Sequence, residues 1–378
     1  MPSKQQRYQR RHEKRLAAKR EALAPCLDFD AVFSFDHFLE ASFICQRGVL
    51  WKRRVQGFVS NRTMNCSRLS EAMLSGSYKK RPADHFVIRE RGKVRNIAAV
   101  GFEDRIVQRV FCKYSLLPVL TRGLITDNGA SLEGKGVAFA LKRFDAQLRA
   151  HIKHYGHNGY ILLYDFSNYF GNIDKAILTT RIKRDYADIA SCTADHLNLA
   201  RFSKLIDQLF LEEKDGLGLG NQTSQIGAIY FASPIDHAFK EGMCIAGYGR
   251  YMDDGYVMCA NKEQLRCAQE VLRCECAKLN IILNPKKVRA IKLVPGCGFT
   301  YLKTVFHLHA GGRIITTLPP KTIANARRRF VRMKHLVQRG VLPVENFQLS
   351  FASWQGVCLR ATNGQRIIDT MRSALTRA

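Results

Sequence analysis

The sequence predicts an α+β fold, a small antiparallel sheet framed by amphipathic helices, and three observations lead there. Ile161 to Tyr164 form a short apolar run with β propensity that ends at Asp165. Ile245, Ala246, Tyr256, Val257 and Met258 flank the tetrapeptide Tyr251-Met252-Asp253-Asp254, with Gly247, Gly249 and Gly255 close by, which is the pattern of a β-hairpin carrying acids at its tip. Helical periodicity follows, as in Leu265, Ala268, Val271, Leu272, Ala277 and Leu279, a stripe more often core than binding face. A chain of 378 residues can bury a large core, here expected as subdomains of one unit.

Met1 to Pro25 carries Lys4, Arg7, Arg10, Arg11, Lys14, Arg15, Lys19 and Arg20 with few apolar anchors. Residues 1–28 are therefore expected as a basic arm, either a frayed solvated helix or a segment that orders against RNA or a partner protein. Folded sequence begins near Phe29, with a helical pattern through Phe35, Phe38, Leu39 and Phe43. From Phe86 to Ile97 two alternating strands surround a Gly turn and carry Arg89, Arg91, Lys93 and Arg95. Such a hairpin either closes over a triphosphate or is an exposed edge with solvated charges. Glu103 to Arg109 opens an amphipathic helix, and Asn128 to Gly136 is a Gly-rich loop without Walker spacing whose Lys135 is read as a nucleic-acid-backbone contact.

Gly216 to Gln225 is a second Gly-rich segment, feeding a helix through Ile226, Ile229, Tyr230, Ile235 and Phe239. Close backbone approach plus free N–H groups at a helix start suits a base pair or a phosphate. Asn284, Pro285, Lys286 and Lys287 turn the chain into a basic strand ending at Pro295, and Gly298 to Phe306 is expected to pair with Ile314 to Leu318 around Gly311 and Gly312. Lys321, Arg327, Arg328, Arg329, Arg332 and Lys334 lie on helical segments reaching Leu349, and Phe351 and Trp354 lead a last one. Basic helices either track a duplex backbone or present a solvated face. No internal repeat is present.

The chemistry concentrates in the acids. Two adjacent carboxylates repel, and in a strand they point to opposite faces, so a turn that holds Asp253 and Asp254 together has a use for a cation. Asp-Asp-Gly is also ordinary turn chemistry, and a third carboxylate decides between the two. Asp165, at the end of its strand, supplies it. Taken singly Asp165 reads as a helix N-cap, but Asp174, directly before Lys175-Ala176-Ile177-Leu178, is the better cap. The expected metal set is Asp165, Phe166, Asp253 and Asp254, holding two Mg²⁺ ions, with Mn²⁺ able to replace them. One ion would activate a primer 3′-hydroxyl for in-line attack on an α-phosphate and the other would neutralise leaving pyrophosphate.

Sixty Lys and Arg against 32 Asp and Glu leave a formal charge of +28, more than a solvated surface needs, and a polyanion is the natural partner. Nucleic acid fits better than a membrane surface, because no apolar run approaches spanning length and the N-terminus lacks a signal-peptide core. A cytoplasmic protein is expected. The twelve cysteines sit mostly in apolar runs and never as paired C-x₂-C; Cys267, Cys274, Cys276 and Cys297 are the one loose cluster, without a histidine at zinc spacing.

Together these motifs resemble reverse transcriptases, from about Phe86 to Phe306 and in the expected order. The resemblance implies a right-hand polymerase: residues 29–160 fingers and start of palm, 161–306 palm (antiparallel sheet plus helices) with a fingers insertion near 180–215, and 307–378 a mostly helical thumb. Asp165 matches the palm's first metal ligand, Tyr251 to Asp254 the catalytic hairpin, and Lys287 the lysine assigned as proton donor to pyrophosphate, so Asp165, Asp253, Asp254 and Lys287 are the catalytic set. Arg95, with Arg89 and Lys93, matches the fingers residues that hold the triphosphate. Phe170, five residues after Asp165, falls where the family places the side chain that excludes a ribose 2′-hydroxyl, favouring dNTPs. Leu219, Gly220 and Gln225 complete the nucleotide-binding set; Ser224, Tyr251, Met252, Lys135, Arg328 and Arg332 form the nucleic-acid-binding set.

Most of the family carries Gln-Gly and later Ser-Pro in the grip segment, whereas this chain has Leu219-Gly220 and Ser224-Gln225, which resembles the LGxxxSQ signature of diversity-generating retroelement enzymes. Those copy a template-repeat RNA with frequent errors at adenine. Replacing an amide by Leu219 removes a hydrogen bond near the nascent pair, in line with lower selectivity. Ser353-Trp354-Gln355-Gly356 is similar to the thumb of that group. The resemblance implies template RNA, cDNA product, dNTPs and a small basic helical accessory protein as partners, in a bacterial or phage-encoded enzyme. The alternatives are an antiphage defence reverse transcriptase of the abortive-infection or unknown-group kind using a dedicated noncoding RNA, and, less favoured, a group II intron maturase, since no maturase extension or endonuclease-like zinc segment follows. A non-catalytic RNA-binding or capsid-type protein would use the charge equally well but has no need of Asp165, Asp253 and Asp254.

Overall fold

In a computed structural model of the chain the described residues are 10, 14, 18, 21–90, 92–190, 196–211 and 216–377. Most of the basic arm, Arg91, the side chain of Lys93 and residues 191–195 and 212–215 of the expected insertion lie outside them. The chain is a mixed helix-and-sheet protein divided into two compact units, Met1–Ile125 with Ser167–Ile235 and Glu275–Ile282, and Thr126–Phe166 with Asp236–Cys274 and Leu283–Ala378.

Counting helices of eight or more residues, the first unit contains α1 (Phe35–Cys45), α2 (Arg53–Ser60), α3 (Arg62–Leu74), the antiparallel hairpin β1 (Asp84–Glu90) and β2 (Lys93–Ala99), and α4 (Phe102–Phe111). Its core is aromatic: the rings of Phe29, Phe33, Phe38, Phe111 and Phe202 meet at centroid distances between 4.6 and 6.5 Å. Tilted, stacked and edge-on ring pairs fill this volume without polar atoms to satisfy. The one buried hydroxyl pair nearby, Ser115 and Tyr186, bonds to itself at 2.7 Å, and Ser115 also donates to the Cys26 carbonyl.

The second unit opens with α5 (Val137–Tyr155), which leads into β3 (Tyr160–Asp165). In the first unit the chain then forms α6 (Lys175–Ala190), α7 (His196–Phe210) and α8 (Gln222–Phe231). It continues through β4 (Tyr248–Tyr251), β5 (Asp254–Cys259), α9 (Lys262–Lys278) and β6 (Arg289–Lys292). The sheet order is β4-β5-β3-β6, antiparallel throughout. Asp174 caps α6, its carboxylate accepting from the Ile177 N–H at 3.0 Å, the structural role its position predicts.

Behind this sheet Phe144 of α5 packs on Tyr256, Tyr301 and Phe306 at 4.7, 4.8 and 4.6 Å. The last two belong to a second sheet, β7 (Gly298–Tyr301), β8 (Thr304–Leu308) and β9 (Ile314–Thr317). Here the structure corrects the sequence, which offered one strand for Gly298 to Phe306. Leu302 and Lys303 both take positive φ, 43° and 62°, as a tight primed turn demands, and without glycine or asparagine there the turn leaves no compositional mark. Three helices, α10 (Pro320–Gln338), α11 (Val344–Cys358) and α12 (Gly364–Arg377), bury a separate core around Phe330, Trp354, Ile368 and Met371.

Candidate active site

The site is built from strand register. Pairing of β3 with β5 sets Asp165 opposite Asp254, and the two-residue link between β4 and β5 is Met252-Asp253. Met252 takes φ 54°, unusual for a side chain of that size, so the chain stores local strain at the turn that presents both acids. The outcome is that Asp165, Asp253 and Asp254 each offer a carboxylate oxygen within 4.8 Å of the others, with Asp165 buried. They are the one group of three or more His, Cys, Asp or Glu so placed among the described residues; the loose cysteine cluster forms no such group. Gly255 follows because the Tyr164 ring fills the space beside it: a Cβ there would come within 2.1 Å of the ring.

The electrostatics are those of crowded, partly buried carboxylates. Burial and the charges of Asp253 and Asp165 push the Asp254 carboxyl from 3.8 to about 7. One cation is present: Lys287 Nζ donates to Asp165 at 2.5 Å, and Asn284 Nδ2 reaches the other oxygen at 3.3 Å. Burial works to lower the Lys287 pKa, yet the hydrogen bond to Asp165 and the surrounding carboxylates outweigh it, and the net shift is upward. Hydrogen bonds fix the frame, with Asn284 N–H donating to the Asp165 carbonyl at 2.9 Å and Phe166 N–H to the Asp253 carbonyl at 3.2 Å. Phe166 is buried and lacks a side-chain ligand atom, so its carbonyl is the group it can offer a cation.

Two residues that no motif singled out as functional hold the turn from beneath. Arg250 and Asp236 form a fully buried bidentate pair, Nε to Oδ1 and Nη2 to Oδ2 both at 2.7 Å. The remaining Arg250 nitrogen donates to the Met252 carbonyl at 2.9 Å, so the guanidinium ties the strained turn to the body of its unit. Tyr248 donates to the same Asp236 at 2.6 Å and meets the Tyr164 hydroxyl at 2.9 Å. Arg250 flanks the YMDD run, but its acid lies 14 residues upstream in a helical stretch, and no spacing rule connects them.

The remaining candidates distribute between the units. In the first, Ile97 of β2 forms a parallel bridge with Leu219, and Ala98 N–H donates to the Leu219 carbonyl at 3.2 Å, which brings the grip segment alongside the strand of Arg95. Leu217 N–H donates to the Phe170 carbonyl at 2.7 Å; Gly216 sits so close that a Cβ would lie 2.2 Å from that oxygen. Arg89, Arg95, Gly220 and Gln225 are exposed, Phe170 and Leu219 half-buried, and Ser224 is buried within α8. In the second unit Lys135 Nζ donates to the Thr126 and Asn128 carbonyls at 3.0 and 2.9 Å, and Gly129 N–H to the Arg250 carbonyl at 2.9 Å, so this Gly-rich loop buttresses β4. Tyr251 and Met252 are half-buried, while Arg328 and Arg332 are exposed on α10.

No protein-family model and no curated protein matches the chain. Similar solved structures include telomerase from Candida albicans in complex with a TWJ fragment of telomeric RNA, at TM-score 0.47 and 13% identity over 87% of this chain and 59% of that one. Apo telomerase from Candida tropicalis gives 0.43 and 13% over 64% and 52%, and its form truncated from the C-terminal domain 0.45 and 14% over 68% and 60%. The chain thus spans between 52% and 60% of the length of these chains. No described helix is long and apolar enough to cross a membrane.

Proposed function

We propose that the protein is an RNA-directed DNA polymerase of the diversity-generating retroelement type, laid out as fingers, palm and thumb over the ranges the sequence predicts. The observation that carries the polymerase reading is the convergence of Asp165, Asp253 and Asp254 within 4.8 Å. An all-carboxylate donor set suits hard divalent cations, and the raised Asp254 pKa reflects its burial and the crowding of like charges beside it. Asp165, Asp253 and Asp254 would hold Mg²⁺, which would supply Lewis-acid activation of a primer hydroxyl and charge neutralisation at the phosphates.

The chain's own groups do the rest in this proposal. Lys287, kept protonated by Asp165, hands its proton to leaving pyrophosphate in this reading. Arg89, Lys93 and Arg95 hold the triphosphate, and Phe170 excludes a 2′-hydroxyl. Leu219 offers an apolar contact where an amide would read the pair, and the Leu219-Gly220 and Ser224-Gln225 run favours the retroelement reading over defence.

Purified protein given an RNA template, a primer, dNTPs and Mg²⁺ is expected to make DNA, and Asp253→Asn to lose about a thousandfold or more of that rate with RNA binding retained. Sequenced product should carry errors concentrated opposite template adenine. Equal synthesis by the variant removes the catalytic assignment; an even error spectrum removes the retroelement one.

A further inference from the structure

Trp51 is 76% exposed, in the first unit and far in sequence from every candidate catalytic residue. It is not loosely placed. It lies in the turn between α1 and α2, where Val49 N–H donates to the Gln46 carbonyl at 3.1 Å and Lys52 N–H to the Val49 carbonyl at 3.0 Å. Its indole N–H donates to the Gly48 carbonyl at 3.3 Å, so the ring's one polar group is satisfied inside the turn. The core does not need it, because α2 turns Val55 and Phe58 inward, Phe58 against Phe102 at 5.2 Å. A large aromatic anchored through its N–H and left in water is a surface open to a partner.

The charge around it names the partner's sign. From Ala41 to Ser70 the chain has no acid, while Arg47, Lys52, Arg53, Arg54, Arg62 and Arg68 are all cationic. Arg54 meets Asp84 at 3.5 Å, a largely exposed and therefore weak pair. The Arg62 guanidinium covers the Phe43 ring at 3.8 Å, and Phe43 is itself 49% exposed. Phe43 is thus capped, while Trp51, with Lys52 Nζ 5.4 Å from its ring centroid, leaves an aromatic surface open beside cations, the pairing that a base and its flanking phosphates in an unpaired strand would use.

We propose that this surface binds a single-stranded RNA segment, Trp51 stacking a base while Arg47, Lys52 and Arg53 hold flanking phosphates. The choice of RNA rests on the template-copying reading above; stacking and charge do not. An acidic protein would engage the cations and offer Trp51 no base. An anionic lipid surface would draw the indole into an apolar layer.

Intrinsic fluorescence tests this directly, because Trp51 and the buried Trp354 are the two tryptophans of the chain. The full chain, and Trp354→Phe as a single-reporter form, are titrated with an unpaired RNA oligonucleotide, the same RNA as a duplex, heparin, and phosphatidylserine vesicles. Unpaired RNA is expected to quench Trp51 strongly and heparin not to. Trp51→Ala should weaken unpaired-RNA affinity about tenfold, the order of one stacked base, and Trp51→Phe should retain most of it. Lys52→Gln with Arg53→Gln should flatten the salt dependence. RNA binding without a change in Trp51 emission, equal quenching by heparin or duplex, or a blue shift with vesicles alone overturns the proposal. Asp253→Asn should leave the quenching intact, so a chain that quenches yet makes no DNA would sink the polymerase reading and spare this one.

Discussion

Each acid of the triad carries its own consequence. In the metal-free protein Asp254 is more easily protonated folded than unfolded, since its folded pKa is about 7 against 3.8. A raised acid pKa means that the native state binds the extra proton, so this group favours folding least once pH exceeds about 7, and its penalty grows as pH rises from near 4 to that value. Asp254→Asn should therefore raise the melting temperature of metal-free protein at pH 8 and leave it nearly unchanged at pH 4; a lower melting temperature at pH 8 contradicts the assignment. Phe170→Ala should raise rNTP use relative to dNTP in competition assays, and an unchanged ratio rejects Phe170 as a gate. Leu219→Gln should lower misincorporation opposite adenine, read by sequencing the product. Asp165, Asp253 and Asp254 were legible in the sequence because side chains so costly to crowd have few structural uses. Arg250 was visible only as a neighbour of the motif, since its function depends on Asp236, a contact that only the folded chain makes.

At the scale of elements, the β4–β5 hairpin is a strained turn held by a buried clamp. Removing one partner of a buried ion pair leaves the other uncompensated, so Asp236→Asn should cost about 3–5 kcal/mol of unfolding free energy. Arg250→Lys is the sharper probe: it keeps the charge but loses the planar fork that joins Asp236 to the Met252 carbonyl. It should raise the Mg²⁺ concentration needed for half-maximal synthesis more than it changes the KM for dNTP, whereas a purely structural role would lower active protein and leave both constants alone. Most strands and helices could be read from apolar periodicity, including β3, the YMDD hairpin and α9. The β7–β8 turn could not, because Leu302 and Lys303 occupy a conformation their side chains rarely adopt, held there by the sheet they join.

For the whole molecule, a formal charge of +28 means that the proposed RNA affinity should depend on ionic strength. Between 50 and 200 mM salt the affinity for unstructured RNA should fall on the order of a thousandfold if about six phosphates are neutralised, and a flat response would show that the charge serves something else. Composition points to a polyanion without locating it; the acid-free run around Trp51 is not legible as a surface in the sequence, because nothing in its spacing marks the tryptophan as exposed. The central claim is that three carboxylates, one from the end of β3 and two from the β4–β5 hairpin, hold divalent cations. Calorimetric titration of Mn²⁺ into the full chain tests it most directly: wild type should bind with heat that Asp165→Asn and Asp254→Asn abolish, and undiminished binding by both variants would contradict it.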